Sequence, residues 1–128
     1  MAAYVALVAG QPGEDTGALA AVGVRKGGKP VAAANGVLNI PADPSGALAY
    51  VTSKATAEAG EVEFVMPNRS PVQHDIAVKG GGASGKGPTV GQGGTSRFST
   101  TLDPGKYTFF CSVPGHEAGG MKGDLDVK

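Results

Sequence analysis

Near its C-terminus the chain sets a thiol, an imidazole and a thioether within eleven residues, in the segment 111–121, Cys-Ser-Val-Pro-Gly-His-Glu-Ala-Gly-Gly-Met. Cys111, His116 and Met121 thus follow a Cys-x4-His-x4-Met spacing. Pro114 stiffens the loop between them and the glycines carry no side chain to obstruct it, so the chain can curl back and bring all three donors to one point. Thiolate and thioether are soft ligands that favour Cu(I), and imidazole serves both copper oxidation states. Two imidazoles and a thiolate in a trigonal plane, with a long and weak axial thioether, are the ligands of blue-copper electron-transfer sites. That set needs a second histidine. The one other histidine is His74, 37 positions before Cys111.

Other chemistries fit these residues less well. A lone strand cysteine is ordinarily a small buried hydrophobe, but His116 and Met121 at these spacings argue against that for Cys111. As a nucleophile with His116 as base, Cys111 would have to face its partner from five positions away on a tight loop, and no third group is evident to orient the base. A structural zinc site wants four nitrogen, sulfur or carboxylate ligands, and a thioether is a poor fourth. A single cysteine also excludes an intramolecular disulfide. Met66 shares a period-two face with Val62 and Phe64 and reads as core, and Met1 is the start of the chain.

The elements that must position these donors read as strands. A chain of 128 residues fits one domain and buries roughly two-thirds of the surface its unfolded form exposes. With 22 Gly and 9 Pro, long helices are disfavoured. Period-two faces run through Val62, Phe64 and Met66; His74, Ile76 and Val78; Phe98, Thr100 and Leu102; Tyr107, Phe109 and Cys111; and Leu125 and Val127. Glu58, Glu61, Glu63, Lys122, Asp124, Asp126 and Lys128 fall mostly on the opposite, solvated faces. Turn chemistry at 67–71, a Gly-rich stretch over 80–94 and Asp103-Pro104-Gly105 separate the strands, and this spacing predicts an all-β antiparallel sandwich. The stretch 102–107 resembles a tyrosine corner, which gives Tyr107 a structural role. Eight glycines over 80–94 could suggest an anion-binding nest, but no Lys-Ser/Thr pair or helix start follows, so a flexible inter-strand loop is expected.

The segment 107–116, Tyr-Thr-Phe-Phe-Cys-Ser-Val-Pro-Gly-His, continuing to Met121, resembles the cupredoxins, particularly their bacterial plastocyanin-like and auracyanin-like members. The segment 71–78, Pro-Val-Gln-His-Asp-Ile-Ala-Val, resembles the same family's upstream histidine motif. The resemblance covers about residues 50–128 and implies a Greek-key β-sandwich with one copper ion per chain, cycling between Cu(I) and Cu(II). It implies His74, Cys111 and His116 as the strong ligands and Met121 as the weak axial one. The function implied is transport of single electrons between redox partner proteins, not enzymatic catalysis, with a copper module of a larger redox enzyme or respiratory complex as the alternative. A periplasmic or other extracytoplasmic location is expected, any export signal or membrane anchor lying outside this chain.

Two features depart from the family pattern. The residue after the upstream histidine is usually Asn, which ties the two ligand loops together; here it is Asp75. A carboxylate can still accept from the Ser112 hydroxyl or a backbone N–H, but its charge near the copper should favour the oxidised state. Residues 1–49 do not align to a minimal cupredoxin and are expected to be an N-terminal extension, extra strands or a wrapping segment, of a single domain spanning 1–128. Its run at 2–9 is apolar, lacks a basic leader and is far shorter than the roughly 20 residues that span a bilayer, so it reads as a strand and no transmembrane segment is expected.

Eleven basic residues balance eleven acidic ones, which argues against nucleic acid as a partner and removes long-range steering. Redox partners are then expected to dock briefly on apolar surface around the ligand loop, at Val72, Val113, Pro114 and Ala118, with the exposed edge of His116 as the electron port. A monomer is expected.

Overall fold

The structure, a computed structural model, describes residues 29–128. The expected strand at 2–9 lies outside the described residues. Nine strands follow: β1 (Val31–Ala32), β2 (Val37–Asn39), β3 (Lys54–Ala57), β4 (Gly60–Pro67), β5 (Ala77–Gly80), β6 (Ala83–Lys86), β7 (Thr95–Leu102), β8 (Gly105–Phe110) and β9 (Lys122–Val127). They form a six-stranded sheet in the order β1-β3-β9-β8-β5-β6 and a three-stranded sheet in the order β2-β4-β7, with no helix among the described residues. This is the expected Greek-key β-sandwich.

The alternation read from the sequence sorts the side chains. Val62, Phe64 and Met66 of β4 point inward, and the facing sheet supplies Val78, Tyr107, Phe109, Leu125 and Val127. Phe64 stacks on its cross-strand neighbour Phe98 with centroids 4.8 Å apart. Tyr107 donates its hydroxyl to the Asp103 carbonyl at 2.7 Å, so the tyrosine corner forms as expected.

Three expectations need correction. The sandwich is not purely antiparallel: β1 pairs with β3, β2 with β4 and β3 with β9 in parallel. These pairings all involve the first three strands, which reach their neighbours by crossing between the sheets, whereas hairpin-like returns keep the C-terminal half antiparallel. The Gly-rich stretch is not simply a loop either. Gly81 and Gly82, with φ of 51° and 79°, make the two-residue turn of a hairpin whose return strand is β6, paired with β5. Finally, the strand expected to begin at His74 begins at Ala77. His74 instead forms an isolated bridge with Val90. From the Ala77–Lys86 pair back to the His74–Val90 bridge is three steps on one strand and four on the other, so one extra residue is accommodated as a bulge beside His74.

Residues 31–50 belong to the sandwich. Leu38, Ile40, Ala42 and Tyr50 are buried in the core, and an Asn35-Gly36 turn with φ of 53° and 79° passes the chain from β1 in one sheet to β2 in the other.

Gly123 of β9 lies directly across from Phe109 of β8. A Cβ there would collide with the Phe109 ring and come within 2.7 Å of the Ser53 carbonyl oxygen. Gly123→Ala is therefore expected to lower the unfolding free energy by about 1–3 kcal/mol, the range for overpacking a filled core. Urea denaturation followed by far-UV circular dichroism measures it.

Candidate metal centre

β8 is the strand on which the centre is built, flanked by β5 on one side and β9 on the other. Cys111 follows its last residue and continues the β8–β9 register: its N–H donates to the Met121 carbonyl at 3.1 Å. Cys111 and Met121 are thus cross-strand neighbours on the inward face, and both are fully buried. The intervening loop folds into successive turns that return its backbone bonds to itself. The His116 N–H donates to the Val113 carbonyl, and the Met121 N–H donates to the His116 carbonyl, each at 3.0 Å. On the other side of β8, the chain entering β5 brings His74 and Asp75 alongside Cys111 and Ser112.

The structure brings His74, Cys111 and His116 into one cluster. His74 Nδ1 lies 3.2 Å from His116 Nδ1, Cys111 Sγ lies 3.5 Å from His116 Nδ1 and 3.9 Å from His74 Nδ1. The point equidistant from these three atoms, the circumcentre of a triangle with sides 3.2, 3.5 and 3.9 Å, lies about 2.1 Å from each, which is the span of a metal–imidazole bond and slightly short for a metal–thiolate bond. The donor set and its spacing therefore fit one transition-metal ion. Burial differs among them: His74 and Cys111 are buried, while His116 is half-buried and reaches the surface.

A second layer of polar groups orders these donors. The Asp75 N–H donates to Cys111 Sγ at 3.5 Å. The Asp75 carboxylate, fully buried, accepts from the Ser112 N–H at 2.7 Å, the Ser112 hydroxyl at 2.6 Å and the Thr89 hydroxyl at 3.0 Å, with the Lys86 ammonium 3.9 Å away. Tyr50 donates its hydroxyl to the Asp75 carbonyl at 2.7 Å. Lys79 pairs with Glu117, the residue after His116, and sits over the Phe110 ring at 4.6 Å. No spacing or motif singles out Tyr50 or Thr89, because their partners are distant in the chain. Burial pushes the Cys111 thiol above its ordinary pKa, opposed by the N–H of Asp75. Burial, and then the neighbouring His116, lower that of His74.

The sequence model for copper binding proteins of the plastocyanin/azurin family matches residues 40–128, beginning upstream of the stretch that carries the resemblance. The chain belongs to this family. In solved structures it is similar to dithionite-reduced auracyanin from the photosynthetic bacterium Roseiflexus castenholzii, at 28% identity and a TM-score of 0.64 over 75% of this chain and 99% of that one. Auracyanin A, a "blue" copper protein from the green thermophilic photosynthetic bacterium Chloroflexus aurantiacus, matches at 26% identity and 0.61 over 77% and 99%. Auracyanin B shares the fold at 23% identity and 0.66 over 80% and 96%. Copper is thus the metal of this plastocyanin/azurin-family chain, and the His74, Cys111 and His116 cluster fits a single copper site.

Asp75 fills the tying position with a charge. Its Oδ2 touches two hydroxyls, Ser112 and Thr89, either of which can accept as well as donate. Asp75→Asn can therefore keep Oδ1 on the Ser112 N–H and turn its amide toward those hydroxyls, removing the charge with the geometry intact. A negative charge beside the metal stabilises Cu(II) over Cu(I), so Asp75→Asn is expected to raise the copper reduction potential by on the order of tens of mV, read by spectroelectrochemical titration. A second expectation concerns copper uptake. A raised Cys111 keeps the thiol protonated and a lowered His74 keeps that imidazole neutral near pH 7, so ligation by these two displaces one proton, from Cys111. Calorimetry in buffers of different ionisation enthalpy counts it; Cys111→Ser should abolish the tight binding on which the count depends.

Proposed function

We propose that this family member carries single electrons between redox partners, with His74, Cys111 and His116 as equatorial copper ligands and Met121 as the weak axial one. The observation that supports this most directly is the triangle of three donors, each tied to a different structural restraint: His74 to the Val90 bridge, Cys111 to the β8–β9 register, and His116 to the turns of its own loop. Copper bound there supplies a one-electron couple with a soft thiolate and imidazoles that suit both oxidation states. The restraints keep the donors from rearranging as the charge changes, which is what a carrier needs. Met121 is read as axial because its register across from Cys111 puts it on the same buried face.

The half-buried His116 is the route out of an otherwise buried donor set. Val72 and Val113 are partly exposed and Pro114 and Ala118 exposed. These apolar residues suit brief docking of a partner over His116, an encounter that needs only a small interface. Equal numbers of acidic and basic residues agree with docking by shape more than by charge. No helix among the described residues is long and apolar enough to cross a membrane. A carrier, not an enzyme, acting as a monomer in an extracytoplasmic compartment is the reading we adopt.

Copper titration is expected to saturate at one ion per chain, with an intense thiolate-to-copper charge-transfer band and one-electron Nernstian behaviour. A band that survives Cys111→Ala would overturn the assignment. Met121→Gln is expected to retain copper and lower its potential, since the axial ligand tunes the couple; an unchanged potential would remove Met121 from the ligand set.

A further inference from the structure

The turn that leads into His74 holds a polar arrangement that the electron-carrier reading does not use. Asn68 and Ser70 are both buried, at 1% and 0% exposure, although they lie in a Pro-flanked turn. The Asn68 side chain accepts from the Ser70 N–H at 3.0 Å and donates to the Val72 and Val90 carbonyls, each at 2.9 Å. Val90 is also the bridge partner of His74. Asn68 thereby fastens the turn 68–72 to the same segment that fastens the His74 backbone.

The Ser70 hydroxyl sits inside this frame with three neighbours: the Val72 N–H at 2.9 Å, the Val72 carbonyl at 3.3 Å and His74 Nε2 at 3.3 Å. A hydroxyl has one proton to give and two lone pairs to accept with. With its proton on the Val72 carbonyl and one lone pair on the Val72 N–H, the remaining lone pair faces His74. The partner it can take there is an Nε2–H. A neutral imidazole that carries its proton on Nε2 leaves Nδ1 bare, and Nδ1 is the atom 3.2 Å from His116 Nδ1 and 3.9 Å from Cys111 Sγ.

We propose that Ser70 is a positioning residue for the copper site, accepting the Nε2–H of His74 and so holding that ring with an unprotonated Nδ1 turned toward the other donors. The inference rests on His74 being a copper ligand. Hydrogen-bond partners on the far nitrogen of a ligating histidine fix its tautomer and orientation, and their loss typically costs 10–100-fold in metal affinity. Here that acceptor is a side chain, which a single substitution removes while the Asn68 anchor remains.

The test uses the full chain, uniformly ¹⁵N-labelled, as wild type, Ser70→Ala and Ser70→Thr. In metal-free wild type, long-range imidazole ¹H–¹⁵N correlation should show His74 protonated on Nε2 with a slowly exchanging Nε2–H. Ser70→Ala should lose that slow exchange and bind Cu(I) roughly 10–100-fold more weakly in chelator competition. Ser70→Thr, which keeps the hydroxyl, should restore most of both. A wild-type His74 protonated on Nδ1 overturns the proposal, as does Ser70→Ala with Nε2–H exchange and Cu(I) affinity unchanged. Should Ser70→Ala not fold, the wild-type spectrum and Ser70→Thr still decide it. Absence of Cu(I) binding by wild type would instead overturn the ligand reading, while the ring correlation reports separately on the Ser70 contact.

Discussion

The buried Asp75 carboxylate is the constraint on which the architecture of the site depends. Taking an ionised carboxylate out of water costs several kcal/mol unless donors surround it. Its donors here are the Ser112 N–H and hydroxyl and the Thr89 hydroxyl. Ser112 follows Cys111, Thr89 precedes the Val90 bridge to His74, and Asp75 itself follows His74. Satisfying one charge therefore requires three segments, distant in sequence, to meet at fixed distances. The same requirement brings the Asp75 N–H to the Cys111 sulfur.

Around that tie the sandwich acts as a frame with one irregular end. The β8–β9 register runs unbroken from Gly105–Val127 to Phe110–Lys122 and is prolonged by the Cys111–Met121 bond. On the other flank the β5–β6 ladder is interrupted by a bulge before His74. Regular pairing thus delivers Cys111 and Met121, while irregular pairing delivers His74. A bulge bends its strand and re-aims a side chain, and His74, on the same period-two face as Ile76 and Val78, sits beside this one. The His116 loop closes the end, held by its own backbone bonds and by the Lys79–Glu117 pair. That ion pair is half-exposed and contributes little by itself, so the loop's conformation rests chiefly on its turns.

Distribution of burial connects this geometry to electron transfer. Cys111, Met121 and His74 have no exposed surface, so water is kept from that part of the cluster. His116 alone of the three clustered donors is half-buried. Low local dielectric strengthens the effect of every fixed charge near the metal, and Asp75 is one such charge where the family usually has an amide. The residue that ties the ligand segments together here is therefore also the fixed charge expected to act on the redox couple.

The fold class, the strand faces at 62–66, 107–111 and 125–127, the tyrosine corner and the Cys111 and His116 members of the cluster were legible in the sequence because each depends on local spacing. Period two sorts side chains without knowledge of a partner strand, and Cys-x4-His-x4-Met closes on itself within one loop. The family resemblance supplied what spacing could not, the pairing of His74 with donors 37 or more positions away. The parallel pairings of the first three strands, the return strand hidden at 83–86 and the bulge at His74 required the tertiary structure. The Gly81-Gly82 pair was a hairpin signal, but glycines elsewhere in the same stretch masked it. Asn68, Ser70, Tyr50 and Thr89 read as ordinary turn and strand residues, since a polar side chain acquires its role only when folding buries it and fixes which partner remains within reach. The sequence alone determined which atoms can bind copper; the tertiary structure decided what holds them, because burial and long-range pairing choose the second layer.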